Sequence, residues 1–61
     1  MPTIRIEMWS GRTVDQKRKL VKKVTEAVVE ALNIQPDEVK IRIVESEKEN
    51  YAVGGILRSD V

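Results

Sequence analysis

The stretch TVDQKRKLVKKVTEAVVEALN, residues 13–33, decides the fold. It opens on a capping box, Thr13-Val14-Asp15-Gln16, in which the Thr13 hydroxyl accepts from a first-turn N–H and the Gln16 side chain reaches back to the cap. Behind it, Leu20, Val21, Val24, Ala27, Val28, Ala31 and Leu32 recur at three-and-four spacing, which predicts a helix with one apolar stripe. That stripe is the expected core. Lys22, Lys23, Glu26 and Glu30 fall off it. Asn33 suits a left-handed helix terminator, and Pro36 just beyond forbids continuation.

Upstream of the helix, Thr3 to Trp9 alternates strictly: Ile4, Ile6 and Met8 on one side, Thr3, Arg5, Glu7 and Trp9 on the other. This is the pattern of a strand covered on one face, and Ser10-Gly11-Arg12 is the turn out of it. Downstream, Val39 to Glu45 alternates again, with Val39, Ile41 and Ile43 opposed to Lys40 and Arg42. Strand, helix, strand is a crossover unit, so the two strands are expected to be parallel and the crossover right-handed. The fold class is therefore α/β, with the helix covering the two isoleucine-bearing faces. In the tail, Ser46 to Asn50 reads as a charged loop. Tyr51-Ala52-Val53, Gly54-Gly55 and Ile56-Leu57-Arg58 read as a small hairpin or a bent strand pair around the glycines.

With 61 residues the chain is expected to be one domain spanning residues 1–61. At that size a chain buries only about 60% of its unfolded surface and needs a staple. It has no cysteine and no histidine, so disulfides, thiolate metal sites and the commonest metal ligand are all missing, and neither a metal nor a cofactor is expected. Oligomerisation remains as the staple. A two-stranded parallel sheet has open edges, and pairing chains edge to edge would close them. The lack of cysteine and of a long apolar opening run points to a soluble, cytoplasmic protein without a membrane span.

Net charge is +1 although 34% of residues are charged, too balanced for a large nucleic-acid footprint. The run Lys17, Arg18, Lys19, Lys22, Lys23 is most simply a solvated helix face. Without histidine or cysteine, the usual general base and the usual strong nucleophile are absent. Glu7 stands alone on its strand face, and Glu45, Glu47 and Glu49 lie where a solvated loop is expected, so a carboxylate pair is not indicated. What remains are the lysines, the one tyrosine, the hydroxyls, for which no activating base is evident, and the chain terminus. Pro2 directly follows Met1, and aminopeptidases generally remove a methionine that precedes a small residue such as proline. The freed end is a secondary amine at the head of a strand. An α-amino group titrates at about 7.7 to 8.0. Burial in an apolar pocket and nearby cations both push it toward the free base. Arg12, Lys40 and Arg42 are the candidate cations, and they would also hold a carboxylate substrate and steady a developing enolate. Trp9 and Tyr51 are the candidate walls of a small apolar pocket.

Four marks together, Met1-Pro2, the Gly11-Arg12 turn, TVDQKRKLVKKVTEAV, and NYAVGG near the end, resemble the short chains of the 4-oxalocrotonate tautomerase family over essentially the whole length. The resemblance implies a strand-helix-strand subunit with a hairpin, paired into a four-stranded sheet and assembled as a trimer of dimers. It implies Pro2 as the general base in keto–enol tautomerisation of unsaturated 2-oxo acids, and Arg12 as the residue that grips the distal carboxylate from a neighbouring subunit. It also implies Tyr51 as an apolar wall where the family often has phenylalanine. At one position the chain departs from the pattern, because Lys40 stands where the family carries a second arginine, and a lysine cannot offer the planar two-pronged donor of a guanidinium. Arg42, on the same face and roughly 6.6 Å further along, is a candidate to replace it. The alternative reading is a non-catalytic oligomeric module that holds a small anion with Arg12, Lys40 and Arg42.

Overall fold

The computed structural model describes residues 1–61. Strand β1 (Thr3–Trp9) and strand β2 (Lys40–Ser46) pair in parallel, with Thr3 opposite Lys40, Arg5 opposite Arg42 and Trp9 opposite Ser46. Helix α1 (Val14–Leu32) is the crossover between them. Strands β3 (Ala52–Val53) and β4 (Ile56–Leu57) form a separate antiparallel hairpin. This is the expected β-α-β unit with a terminal hairpin.

Local chemistry accounts for both helix ends. Thr13 Oγ accepts from the Gln16 N–H at 3.1 Å while the Thr13 N–H donates to Gln16 Oε1 at 3.0 Å, so two otherwise orphaned N–H donors are each satisfied by the other residue's side-chain oxygen. At the far end Asn33 takes the left-handed conformation (φ 55°, ψ 52°) and its N–H donates to the Val29 carbonyl. Replacing Thr13 with Ala is expected to lower stability by about 1 kcal/mol. Urea melts of both proteins at one fixed protein concentration will read it, and an unshifted midpoint would show the cap to be dispensable.

Strand β2 is displaced by one residue from its expected span of Val39 to Glu45. The Val39 N–H is spent on the Pro36 carbonyl, closing a 3₁₀ turn over Pro36–Glu38, so Val39 cannot begin the ladder. Ser46, expected in the loop, stays in register because its carbonyl accepts from the Ser10 N–H at 3.1 Å. A second 3₁₀ turn, Lys48–Asn50, follows. Gly54 and Gly55 both have positive φ (61° and 83°), the two-residue turn that suits a hairpin, which settles the choice left open by the sequence. Arg58 starts a third 3₁₀ turn, yet its N–H still donates to the Tyr51 carbonyl at 2.7 Å.

The expected core is only half closed. Ile4, Ile6 and Met8 of β1 and Ile41 and Ile43 of β2 are half-buried beneath Leu20, Val21, Val24 and Val28, but no residue of the chain is fully buried. Ala27, Ala31 and Leu32, which the stripe assigned to the core, lie exposed. One helix over two strands cannot cover both flanks of a stripe this wide. Lys17, expected on a solvated face, is instead half-buried and donates across the layer to Glu45 at 2.9 Å. Glu45, expected among the solvated carboxylates, is the last helix-facing residue of β2 and lies within the strand expected over Val39 to Glu45.

The shape reflects the missing closure. The chain measures 44 × 25 × 13 Å with a radius of gyration of 14.8 Å, whereas a compact chain of this length has roughly 10.5 Å. Its accessible area is 5123 Å², above the roughly 4,000 Å² expected of a folded 7.0 kDa monomer. The excess, about 1,100 Å², is somewhat more than the roughly 800 Å² one partner gives to a standard interface. No helix is long and apolar enough to cross a membrane.

Candidate active site

Pro2 immediately precedes β1, half-buried, with its carbonyl accepting from the Lys40 N–H at 3.1 Å. That bond extends the β1–β2 ladder one residue beyond Thr3. The proline has no N–H to waste there, so it begins the strand at no cost in pairing. In the 61-residue chain its nitrogen is acylated by Met1, which is 84% exposed and open to an aminopeptidase. Lys40 lies beside Pro2, and its Nζ donates to the Asp37 carbonyl at 3.3 Å. Arg42 follows on the same uncovered face, directly across from Arg5.

At the other end of β1 the aromatic residues meet. Trp9 and Tyr51 pack edge to face, with ring centroids 5.4 Å apart and an interplanar angle of 83°. They line a depression of about 300 Å³ together with Glu7, Met8 and Ser46. A second depression of about 410 Å³ shares Met8 and Trp9 and is closed by Ser10, Gly11 and Arg12. Trp9 is thus the partition between an aromatic recess and a cationic one. Gly11 has φ 115°, a conformation side-chain-bearing residues rarely adopt, and this turn carries Arg12 to the rim. The ion pairs of the chain are Arg5–Glu7, Lys17–Glu45 and Arg18–Asp15, which leaves the Arg12 guanidinium without a carboxylate partner.

The candidate residues therefore form two groups. Pro2, Lys40 and Arg42 lie toward the start of the sheet, and Trp9, Arg12 and Tyr51 at its other end. Seven residue-to-residue steps separate Pro2 from Trp9, roughly 23 Å at about 3.3 Å per step. No side chain spans that gap. Alternation alone placed Glu7 beside Trp9, but Ser46 and Met8 enter the recess only through the register of the ladder. Sequence reading also missed the Ser10 hydroxyl, which donates to Glu47 Oε1 at 2.6 Å and ties the two strand ends together below the rim.

A family described as "Tautomerase enzyme" matches residues 2–60. The chain belongs to the tautomerase enzyme family. It is 44% identical to the 2-hydroxymuconate tautomerase of Bacillus subtilis (strain 168) over 61 residues, covering 100% of this chain and 98% of that one. Among solved structures it resembles YwhB, a homologue of 4-oxalocrotonate tautomerase, at 43% identity and a TM-score of 0.89, covering 98% of each chain. It also resembles a chain of the heterohexameric 4-oxalocrotonate tautomerase from Chloroflexus aurantiacus J-10-fl, at 31% identity and a TM-score of 0.85, over 100% of this chain and 98% of that one. As a tautomerase-family member the chain is an isomerase of the 4-oxalocrotonate tautomerase type, and the strand-helix-strand subunit with a hairpin is the family's own.

Proposed function

We propose that the protein catalyses keto–enol tautomerisation of unsaturated 2-oxo and 2-hydroxy acids, such as 2-hydroxymuconate-type dienols, with Pro2 as the general base once Met1 has been removed. The freed secondary amine takes the proton of the enol hydroxyl. As the ammonium it returns that proton to a carbon of the conjugated chain, so an O–H bond breaks, a C–H bond forms and the double bonds shift, with no change in composition. The observation that carries this reading is the placement of Pro2. Its nitrogen leads the strand, its carbonyl is pinned by Lys40, and it stands beside the only face of the sheet that gathers Lys40 and Arg42.

The working unit is a homo-oligomer, a trimer of dimers, of this one tautomerase-like domain in the cytoplasm. The excess surface and the open edges of the two-stranded sheet support it. In it, Arg12 of a neighbouring chain grips the distal carboxylate, its guanidinium being free of internal partners. Trp9 and Tyr51 wall the apolar stretch of the substrate and keep water from the amine. Lys40 and Arg42 hold the 2-oxo end. A lysine is a point charge, and Lys40 is drawn toward the Asp37 carbonyl, so it steadies the enolate less well than a two-pronged guanidinium. Lys40→Arg is expected to raise turnover of a dicarboxylate dienol several-fold, and Lys40→Ala to lower it about tenfold. Steady-state rates on mono- and dicarboxylate dienols provide the test, and two unchanged variants would remove Lys40 from the site.

A further inference from the structure

We propose that Arg5 and Glu7 form a charge code along the free edge of β1 that fixes the register in which a second copy of this chain pairs there. This rests on the composite-site reading above and names the residues that set its geometry. Strand β1 is bonded to β2 on one side only, so its other edge is unpaired. Arg5 and Glu7 project from the face that α1 does not cover; they are 63% and 66% exposed, and 3.5 Å apart. Within the ladder Arg5 stands directly across from Arg42, a like charge, so apart from Glu7 on its own strand any further acid for it comes from the free side.

An antiparallel pair sets residues of the same face opposite each other, so few registers of β1 against itself are allowed. Centred on Arg5, the pairing opposes Arg5 to Arg5. Centred on Glu7, it opposes Glu7 to Glu7. Centred on Ile6, it opposes Arg5 to Glu7 twice by the two-fold axis, and Ile6 to Ile6 on the apolar face. Ile6 is also the midpoint of Thr3–Trp9, so this register is the one that uses the whole strand. Registers offset by a single residue would lay the apolar face of one strand beside the charged face of the other. The free edge of β2 offers no such code. Its uncovered face carries Lys40 and Arg42 and no acid, since Glu45 faces the helix and is held by Lys17.

In the Ile6-centred register, Thr3 of one chain lies opposite Trp9 of its copy and Pro2 lies opposite Ser10. The amine then arrives at the rim of the depression lined by Met8, Trp9, Ser10, Gly11 and Arg12. Arg5 and Glu7 touch no substrate; they position the two halves of the site.

The test uses Arg5→Glu and Glu7→Arg, separately, combined in one chain, and mixed as two chains, with assembly read by native mass spectrometry and sedimentation at low salt. Each single variant opposes like charges twice, so its self-association is expected to weaken at least tenfold. The double variant is expected to pair as the parent does. Mixing the two single variants is expected to yield hetero-pairs in preference to either homo-pair, a rescue that an Arg5–Glu7 contact confined to one chain cannot give. Single variants that assemble like the parent, or a mixture that pairs no better than its components, would overturn the code. Dienol turnover in the same samples separates the two readings: an inactive parent that still obeys the pairing code sinks the proline base alone, while active, normally assembled single variants sink the register alone.

Discussion

Chains that retain any residue ahead of Pro2 are expected to turn over a dienol at least a hundredfold more slowly than chains that begin at Pro2. A positioned general base contributes about 10² to 10⁴ in rate, and acylation removes this one entirely by converting the amine into an amide. The composition makes the prediction severe, because the chain has no histidine and no cysteine to stand in. The comparison needs two preparations, one processed and one with an alanine inserted before Pro2, each verified by intact mass. Far-ultraviolet circular dichroism and assembly state should match, since the Pro2 carbonyl still accepts from Lys40 in both. Equal turnover would end the assignment of Pro2, whereas binding of a small carboxylate should survive the extension.

Two impaired proteins should make a more active one. Arg12→Ala is expected to lower kcat/KM on a dicarboxylate by about 10- to 150-fold, the worth of a charge-assisted contact, with a smaller effect on a monocarboxylate. Because Pro2 lies roughly 23 Å from the Trp9 and Arg12 end of its own strand, the proposed site takes the two residues from different chains. Chains with an alanine inserted before Pro2, refolded together with Arg12→Ala chains, then form some sites with a free amine from one parent and an intact guanidinium from the other. Equal amounts mixed at random give about a quarter of the wild-type activity, above either protein alone. No recovery, with mixed oligomers confirmed by mass spectrometry, would place both residues in one chain's site and contradict the strand geometry. The experiment differs from the Arg5 and Glu7 exchange in leaving the pairing edge untouched.

Much of this protein is determined by sequence alone, wherever the cause is local. Thr13 and Gln16 close their capping box within four residues, Asn33 ends the helix through its own tolerance of positive φ, and the two-residue period of Thr3–Trp9 marks a half-covered strand. Pro2 was legible as a candidate because it follows Met1 at the head of a strand and matches the opening of the family the chain resembles. What the sequence could not decide depends on partners distant along the chain. The start of β2 moved because Val39 gave its N–H to Pro36, and its end moved because Ser46 found Ser10. Lys17 left the solvated face for Glu45, and the apolar stripe proved wider than one helix on two strands can bury. Above all, only the parallel register sets Lys40 beside Pro2 at one end of β1, and only the tertiary fold brings Tyr51 onto Trp9 at the other. Alternation gives each residue its face, but distance along a sheet is fixed by the hydrogen-bonded ladder, and the ladder is a tertiary object.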